Sequence, residues 1–144
     1  MNDVSARCLA IDAETKRFLY EGGDPENSAR LFEAGFQILM GPPHPDAPIL
    51  FLGYQPGKGC KTALEEREYR SEDRWPQNCE YATEPWSLAK RLQDIFGTER
   101  LVGCVGLNAI FVRANSVKTY RETFAPVLRK KIEAFCAERT VEII

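Results

Sequence analysis

Ile49-Leu50-Phe51-Leu52-Gly53-Tyr54-Gln55-Pro56-Gly57 is the stretch on which the fold turns. A short unbroken apolar run closed by glycine reads as a strand buried on both faces, the pattern of a central parallel strand. The glycines around Pro56 mark a stiff turn at its carboxyl end. Working outward, residues 85–96 carry Trp86, Leu88, Ala89, Leu92, Ile95 and Phe96 at helical spacing, with Pro85 suited to the first turn and Gly97 to the exit. Leu101-Val102-Gly103-Cys104-Val105-Gly106-Leu107 then reads as a second buried strand whose glycines permit close approach. Thr119 and Glu122 have capping-box spacing, and an apolar stripe through Phe124, Val127, Leu128, Ile132 and Phe135 predicts a helix to about residue 139. Pro126 should kink or restart it. Val141-Glu142-Ile143-Ile144 reads as a third strand. Before the proline-rich joint at residues 41–48, residues 26–34 predict a helix ending at Gly35. Part of 10–20 predicts another, with Ala10, Ile11, Phe18 and Leu19 inward. Strand, helix, strand, helix, strand is the alternation of an α/β sandwich with a parallel sheet. Ligands of such sheets sit beyond the strands' carboxyl ends, which selects the loops 53–62 and 108–116.

The chain's 144 residues, 44% hydrophobic and 28% charged, predict one soluble domain spanning 1–144, with a helical N-terminal part over 1–36. No apolar window is long enough to span a bilayer, and the N-terminus carries acids where a signal peptide has a basic head, so a cytoplasmic protein with no membrane partner is expected. Cys8, Cys60, Cys79, Cys104 and Cys136 are widely spaced with no C-x-x-C pair, so reduced, mostly buried thiols are expected. His44 is the sole histidine and sits among prolines as a turn residue. No metal site and no cofactor are expected. The net charge of −2 hides a gradient, since residues 1–48 carry −4, residues 49–98 carry −1 and residues 99–144 carry +3. A helix with a lysine-rich outer face accounts for the C-terminal excess.

Residues 53–62 invite comparison with a phosphate-binding P-loop, but the spacing fails. Lys58 follows Gly53 where the second glycine should stand, and Lys61-Thr62 follows Cys60 instead of glycine. The run Asp46-Ala47-Pro48-Ile49-Leu50-Phe51-Leu52-Gly53-Tyr54-Gln55-Pro56-Gly57 resembles instead the first motif of the uracil-DNA glycosylase superfamily, which takes forms like G-x-N-P-G or G-E-A-P-G. Gly106-Leu107-Asn108-Ala109-Ile110-Phe111-Val112-Arg113-Ala114 resembles the family segment in which an asparagine ends the next strand, followed by an apolar stretch and an arginine. Thr119-x-x-Glu122 is a weaker third likeness, and the three stand in family order over about residues 37–144.

The resemblance implies a three-layer α/β/α sandwich with a central, mostly parallel sheet, whose strand-end loops receive a base flipped out of DNA. DNA is the implied partner, and metal-independent hydrolysis of an N-glycosidic bond the implied activity. By position, the backbone of Tyr54 and Gln55, within the turn made by Gly53, Pro56 and Gly57, would contact a pyrimidine carbonyl. Gln55 would hold the attacking water, and Asn108 would read the base edge with its donor and acceptor. Tyr69 and Trp75 are both candidates for stacking on the base. Two departures stand out. Gln55 occupies the place where the family often has aspartate or asparagine, and glutamine cannot act as a base or stabilise a cation by charge. The family's last motif, with its histidine and DNA-contacting loop, has no counterpart, which leaves a shortened relative, a truncated product and a fragment all open. A sheet lacking that element would expose an edge for self-association.

Residues 58–84 read as an insertion, either a solvated loop with a short helix or a substrate-facing flap in which Lys58, Lys61, Arg67, Arg70 and Arg74 alternate with Tyr69 and Trp75. Their neighbours Glu65, Glu66, Glu68, Glu72 and Asp73 favour the loop. Cys60, beside two lysines, is a weak candidate for a lowered thiol pKa. A binding or regulatory protein without catalysis, and a binder of free nucleosides or nucleotides, are the rival readings of the same loops.

Overall fold

A computed structural model describes residues 3–57 and 75–144. In chain order they form α1 (Asp3–Tyr20), α2 (Pro25–Ala34), β1 (Leu50–Gly53), α3 (Glu80–Thr83), α4 (Ser87–Phe96), α5 (Thr98–Val102), β2 (Val105–Asn108), α6 (Val117–Thr123) and α7 (Pro126–Ile143). The described residues are mixed helix and strand, 58% and 9%, around a small two-stranded parallel sheet.

Local chemistry sets most helix ends. Asp24 caps α2 by accepting from the Asn27 amide at 3.2 Å, Pro25 fills its first turn, and Gly35 ends it at a φ of 72°. Gly97 ends α4 at a φ of 78°, a conformation that side chains with a Cβ rarely adopt. The residues around Pro126 break the expected long helix into two, and α7 restarts with the proline in its first turn, where a missing N–H costs nothing. The cap of α6 is Ser116, whose Oγ accepts from the Thr119 amide at 3.0 Å, so the expected Thr119–Glu122 box is displaced by one turn.

In the parallel pair, Leu50 lies opposite Val105, Phe51 opposite Gly106, Leu52 opposite Leu107 and Gly53 opposite Asn108. On its other side β2 takes a third line of backbone. Met40 N donates to Gly106 O, Asn108 N to Ile38 O, Gln37 N to Phe111 O and Arg113 N to Gly35 O, with isolated antiparallel bridges at Leu39–Leu107 and Phe36–Val112. β2 is therefore the central line and fully buried, whereas β1 is peripheral, with Leu50 43% and Leu52 57% exposed. This corrects the expectation of a first strand covered on both faces, because an apolar run reports hydrophobicity and not which neighbours arrive to cover it.

Two apolar clusters flank β2. Val105 and Leu107 join Ile11, Leu19, Leu31, Tyr120, Ile132 and others from α1, α2, α6 and α7. Cys104 joins Met40, Cys79, Tyr81, Ala82 and Leu101, with Phe51, Leu92 and Phe96 packed alongside. Strand alternation turns Gly106 toward the second cluster, where a Cβ would stand 2.6 Å from Tyr81 Cε2 and 2.7 Å from Met40 Cβ. Gly103, the other glycine of that run, has open space around it.

Two further expectations fail. Leu101 and Val102 close the short helix α5, so the second strand begins only at Val105. Residues 141–143 are the last turn of α7 and not a third strand. Ile132, Cys136 and Thr140 carry its buried stripe at i, i+4 spacing with no breaker in between, and helix elongation overrides the β preference of Val141 and Ile143. On α1, Ile11 and Leu19 are buried, Phe18 stacks on Phe135 at 4.2 Å, and Ala10 faces outward. Among the described residues no helix is long and apolar enough to cross a membrane, and no group of His, Cys, Asp or Glu could hold a metal ion.

Candidate functional site at the strand ends

The register that sets Gly53 against Asn108 brings the two loops following the strands side by side. They are laced by their backbones. Ala109 N donates to Gly53 O and Ile110 N to Tyr54 O, both at 2.8 Å, and Ala114 N donates to Pro56 O at 3.3 Å. The carbonyls of Gly53, Tyr54 and Pro56 are thus engaged. The Tyr54 and Gln55 amides donate to nothing among the described residues, so the loop presents two consecutive N–H donors, followed by a proline that has none. That arrangement can receive a carbonyl oxygen or an anion.

Gln55 spans the two loops. Its Nε2 donates to Ala114 O at 3.1 Å, and its buried Oε1 has no partner among the described residues. Asn108 is only 2% exposed, and its Nδ2 donates to Gln37 O at 3.2 Å and to the Met40 thioether Sδ at 3.4 Å. Its donor is therefore committed within the protein. Its Oδ1 lies toward Gly53, 3.2 Å from where a Cβ would stand, so a side chain there would press the carboxamide aside by a few tenths of an ångström.

A charged relay supports the loops from behind. Arg113, 5% exposed, donates through Nη1 to Gly57 O at 2.6 Å and through Nη2 to Gln37 Oε1. Gln37 Nε2 in turn donates to Leu39 O and to Glu80 Oε2, each at 2.9 Å. The guanidinium and the Glu80 carboxylate thus stand at opposite ends of one carboxamide, which relays charge through a polar chain and ties the first loop, the 35–40 segment and α3 together. Tyr81, next along α3, packs its ring against Phe51 at 5.2 Å and has its hydroxyl beside Gly53. Burial pushes that hydroxyl up to about 12, with Cys79 and Glu80 adding to the effect, so it is a neutral donor at ordinary pH.

Of the residues selected from sequence, Gly53, Tyr54, Gln55, Pro56, Gly57 and Asn108 come together at one end of the sheet. Trp75 packs at the margin of the cluster formed with α1, α2, α6 and α7. Tyr69, Cys60 and the basic residues of the insertion lie outside the described residues. His44 is an exposed turn residue whose carbonyl accepts from Ala47 N at 3.2 Å. Sequence reading missed Gln37, Glu80 and Tyr81. A signal for Gln37 existed, since it is the one polar residue in the apolar run 36–40, between Gly35 and Gly41. No protein-family model, curated protein or solved structure matches this chain.

Proposed function

We propose that this chain is a uracil-DNA glycosylase-like domain that recognises a base in DNA at the ends of β1 and β2 and hydrolyses its N-glycosidic bond. The proposal includes a three-layer α/β/α sandwich, a cytoplasmic setting and self-association through the outer edge of β1. The observation that carries it is the pair of backbone donors at Tyr54 and Gln55, without an acceptor among the described residues, set at the carboxyl ends of parallel strands with the carbonyls of Gly53, Tyr54 and Pro56 engaged. A pyrimidine carbonyl is an acceptor of the right size for two adjacent N–H groups. The buried Gln55 Oε1 has no partner among the described residues, and once uncovered it would accept from a base N–H or from an attacking water.

A second reading, base binding without catalysis, is favoured by Gln55 itself. Its amide nitrogen is tied to Ala114 O, and the side chain brings no charge to stabilise a developing oxocarbenium ion. Asn108, with its donor spent on Gln37 O, supports the loop and leaves base reading to the backbone. The test is base release from uracil-containing single- and double-stranded oligonucleotides, run beside equilibrium binding to the same oligonucleotides. Release above the uncatalysed rate supports hydrolysis. Preference for uracil over thymine with no release supports the second reading, and no preference between the two bases refutes both.

A further inference from the structure

Among the described residues β1 pairs with β2 alone, so its other side is an open sheet edge. Ile49 O and Gly53 O accept from the Val105 and Ala109 amides. Backbone groups of successive strand residues point to opposite sides, so the N–H and C=O of Leu50 and Leu52 point out along that edge. The side chains of the same register are uncovered too, since Pro48, Leu50, Leu52 and Tyr54 are all exposed. Natural sheets guard such an edge with charge, and residues 48–56 carry none.

α4 continues the surface beyond the edge. Its inward side is fixed by Ala89, which is fully buried, and by Phe96, whose ring meets Phe51 of β1 at 5.7 Å. One flank is turned toward α3, because Gln93 Nε2 donates to Tyr81 O and Glu84 O, each at 3.0 Å. α3 is held in turn by Glu80 N donating to Met40 O, on the side of β2 away from β1. With about 100° between successive helix positions, Leu88 and Ile95 fall on the opposite flank, which looks past the outer edge of β1. They are 52% and 71% exposed. The other exposed apolar side chains form no such patch. Phe32 and Trp86 lean on the rings of Tyr20 and Tyr81, Val102 closes α5, Val127 and Val141 stand about 21 Å apart along α7, and Ile144 follows that helix.

We propose that this surface receives a second copy of the chain, with the two β1 strands antiparallel about a two-fold axis at Phe51 and the Leu88–Ile95 flanks of the two α4 helices in contact. The sequence is self-complementary about that axis. Leu50 meets the partner's Leu52, and the two exchange their outward N–H and C=O groups. Tyr54 meets the partner's Pro48, which has no N–H to leave unpaired, so the Tyr54 amide stays free at the strand end. Exposed parts of Pro48, Leu50, Leu52, Tyr54, Leu88 and Ile95 offer about 500 Å² per copy, or about 1,000 Å² in the pair, the level a specific interface must clear before the strand backbones are counted. The inference rests on the self-association included above, to which it adds a register and a second element, and it is independent of base recognition.

The test is sedimentation velocity of the full chain over about 1–200 µM, since an interface at the lower size limit gives modest affinity. The wild-type chain should dimerise. Leu52→Lys and Ile95→Lys, each placing like charges across the axis, should raise the dissociation constant at least about tenfold. Val127→Lys, the same change at an exposed apolar site on α7, should move it less than about twofold. Thermal melts of each variant check that it is folded. For the register, Leu50→Cys and Leu52→Cys chains in a Cys60→Ser background should cross-link with each other under mild oxidation faster than either does with itself. Faster cross-linking of either with itself would overturn the register. Dimers weakened by Leu52→Lys but not by Ile95→Lys would overturn the role of α4 and keep edge association. A wild-type monomer whose melting temperature falls in Leu52→Lys would show the face covered from within the chain and overturn the dimer, whereas uracil release or preference by that monomer would leave base recognition standing.

Discussion

Replacing Arg113 with alanine removes the donor that joins Gly57 O to Gln37 Oε1 and leaves both acceptors without it in a part of the protein only 5% open at that residue. A hydrogen bond from a charged donor contributes about 1.5–3 kcal/mol, and breaking a buried charged network by removing one member costs about 3–5 kcal/mol. The upper part of that range applies if Glu80 is left facing the uncharged end of Gln37. The loss is large beside the roughly 5–15 kcal/mol that holds a domain folded. With a urea m-value of about 2 kcal/mol/M, the midpoint should fall by about 2 M. Urea titration followed by circular dichroism reads this directly. Arg113→Lys, with one ammonium in place of a fork, should recover only part of the loss. In a double-mutant cycle Arg113→Ala and Gln37→Ala should couple by about 1–3 kcal/mol. A midpoint shift under about 0.5 M, or strict additivity with Gln37→Ala, would refute the relay.

Gly106→Ala should destabilise by about 1–3 kcal/mol, because its Cβ meets Tyr81 and Met40 inside van der Waals contact; Gly103→Ala, in open space, is the matched control in the same urea titration. Burial raises Cys8 from 9.0 to about 11 and Cys136 from 9.0 to about 12. The folded chain keeps these protons where the unfolded chain releases them, so their contribution is complete below about pH 9 and is lost as pH climbs toward 12. Melting temperatures across that window should fall, and Cys136→Ala should flatten the decline. The same burial makes Cys8, Cys79, Cys104 and Cys136 slow toward a disulfide reagent until the protein unfolds, which a thiol titration with and without denaturant checks. Asn108→Asp should destabilise more than Asn108→Ala, since it replaces a donor with a carboxylate facing Gln37 O; the reverse order in thermal melts would remove Asn108 from its supporting role.

The parts of the fold that could be read from sequence are those governed by neighbours in the chain. Gly35 and Gly97 stop helices because of their own backbone freedom, and Pro126 restarts one because of its own missing donor. The strand-end turn at residues 53–57 was legible for the same reason. What sequence could not give was decided by distant partners. Leu50 and Leu52 look like core in isolation, but whether they are covered depends on which elements pack over β1. Val141 and Ile143 prefer strands, yet the stripe of Ile132, Cys136 and Thr140 carries the helix past them. At the site, the resemblance drew attention to Asn108 as a residue with an available donor, whereas its amide meets the backbone of Gln37, far away in the chain. Glu80 belongs to no motif and Gln37 shows only as a lone polar residue in an apolar run; the antiparallel placement of the 35–40 segment against β2 is what brings Gln37 to Arg113, and Gln37 in turn meets Glu80.

The central position of β2 also orders events during synthesis. A chain made from its N-terminus presents the 36–40 segment and the apolar run of β1 long before Val105–Asn108 exist to pair with either. The helices α1, α2 and α4 can form at once from local contacts, but both outer lines of backbone wait, uncovered, for the strand that goes between them. Synthesis at about 5–20 residues per second leaves that interval open for seconds, far longer than a hairpin or helix needs to close. The nascent protein is therefore most exposed to aggregation and to chaperone capture at residues 36–40 and 49–52, and the arrival of β2 is the event that ends this exposure.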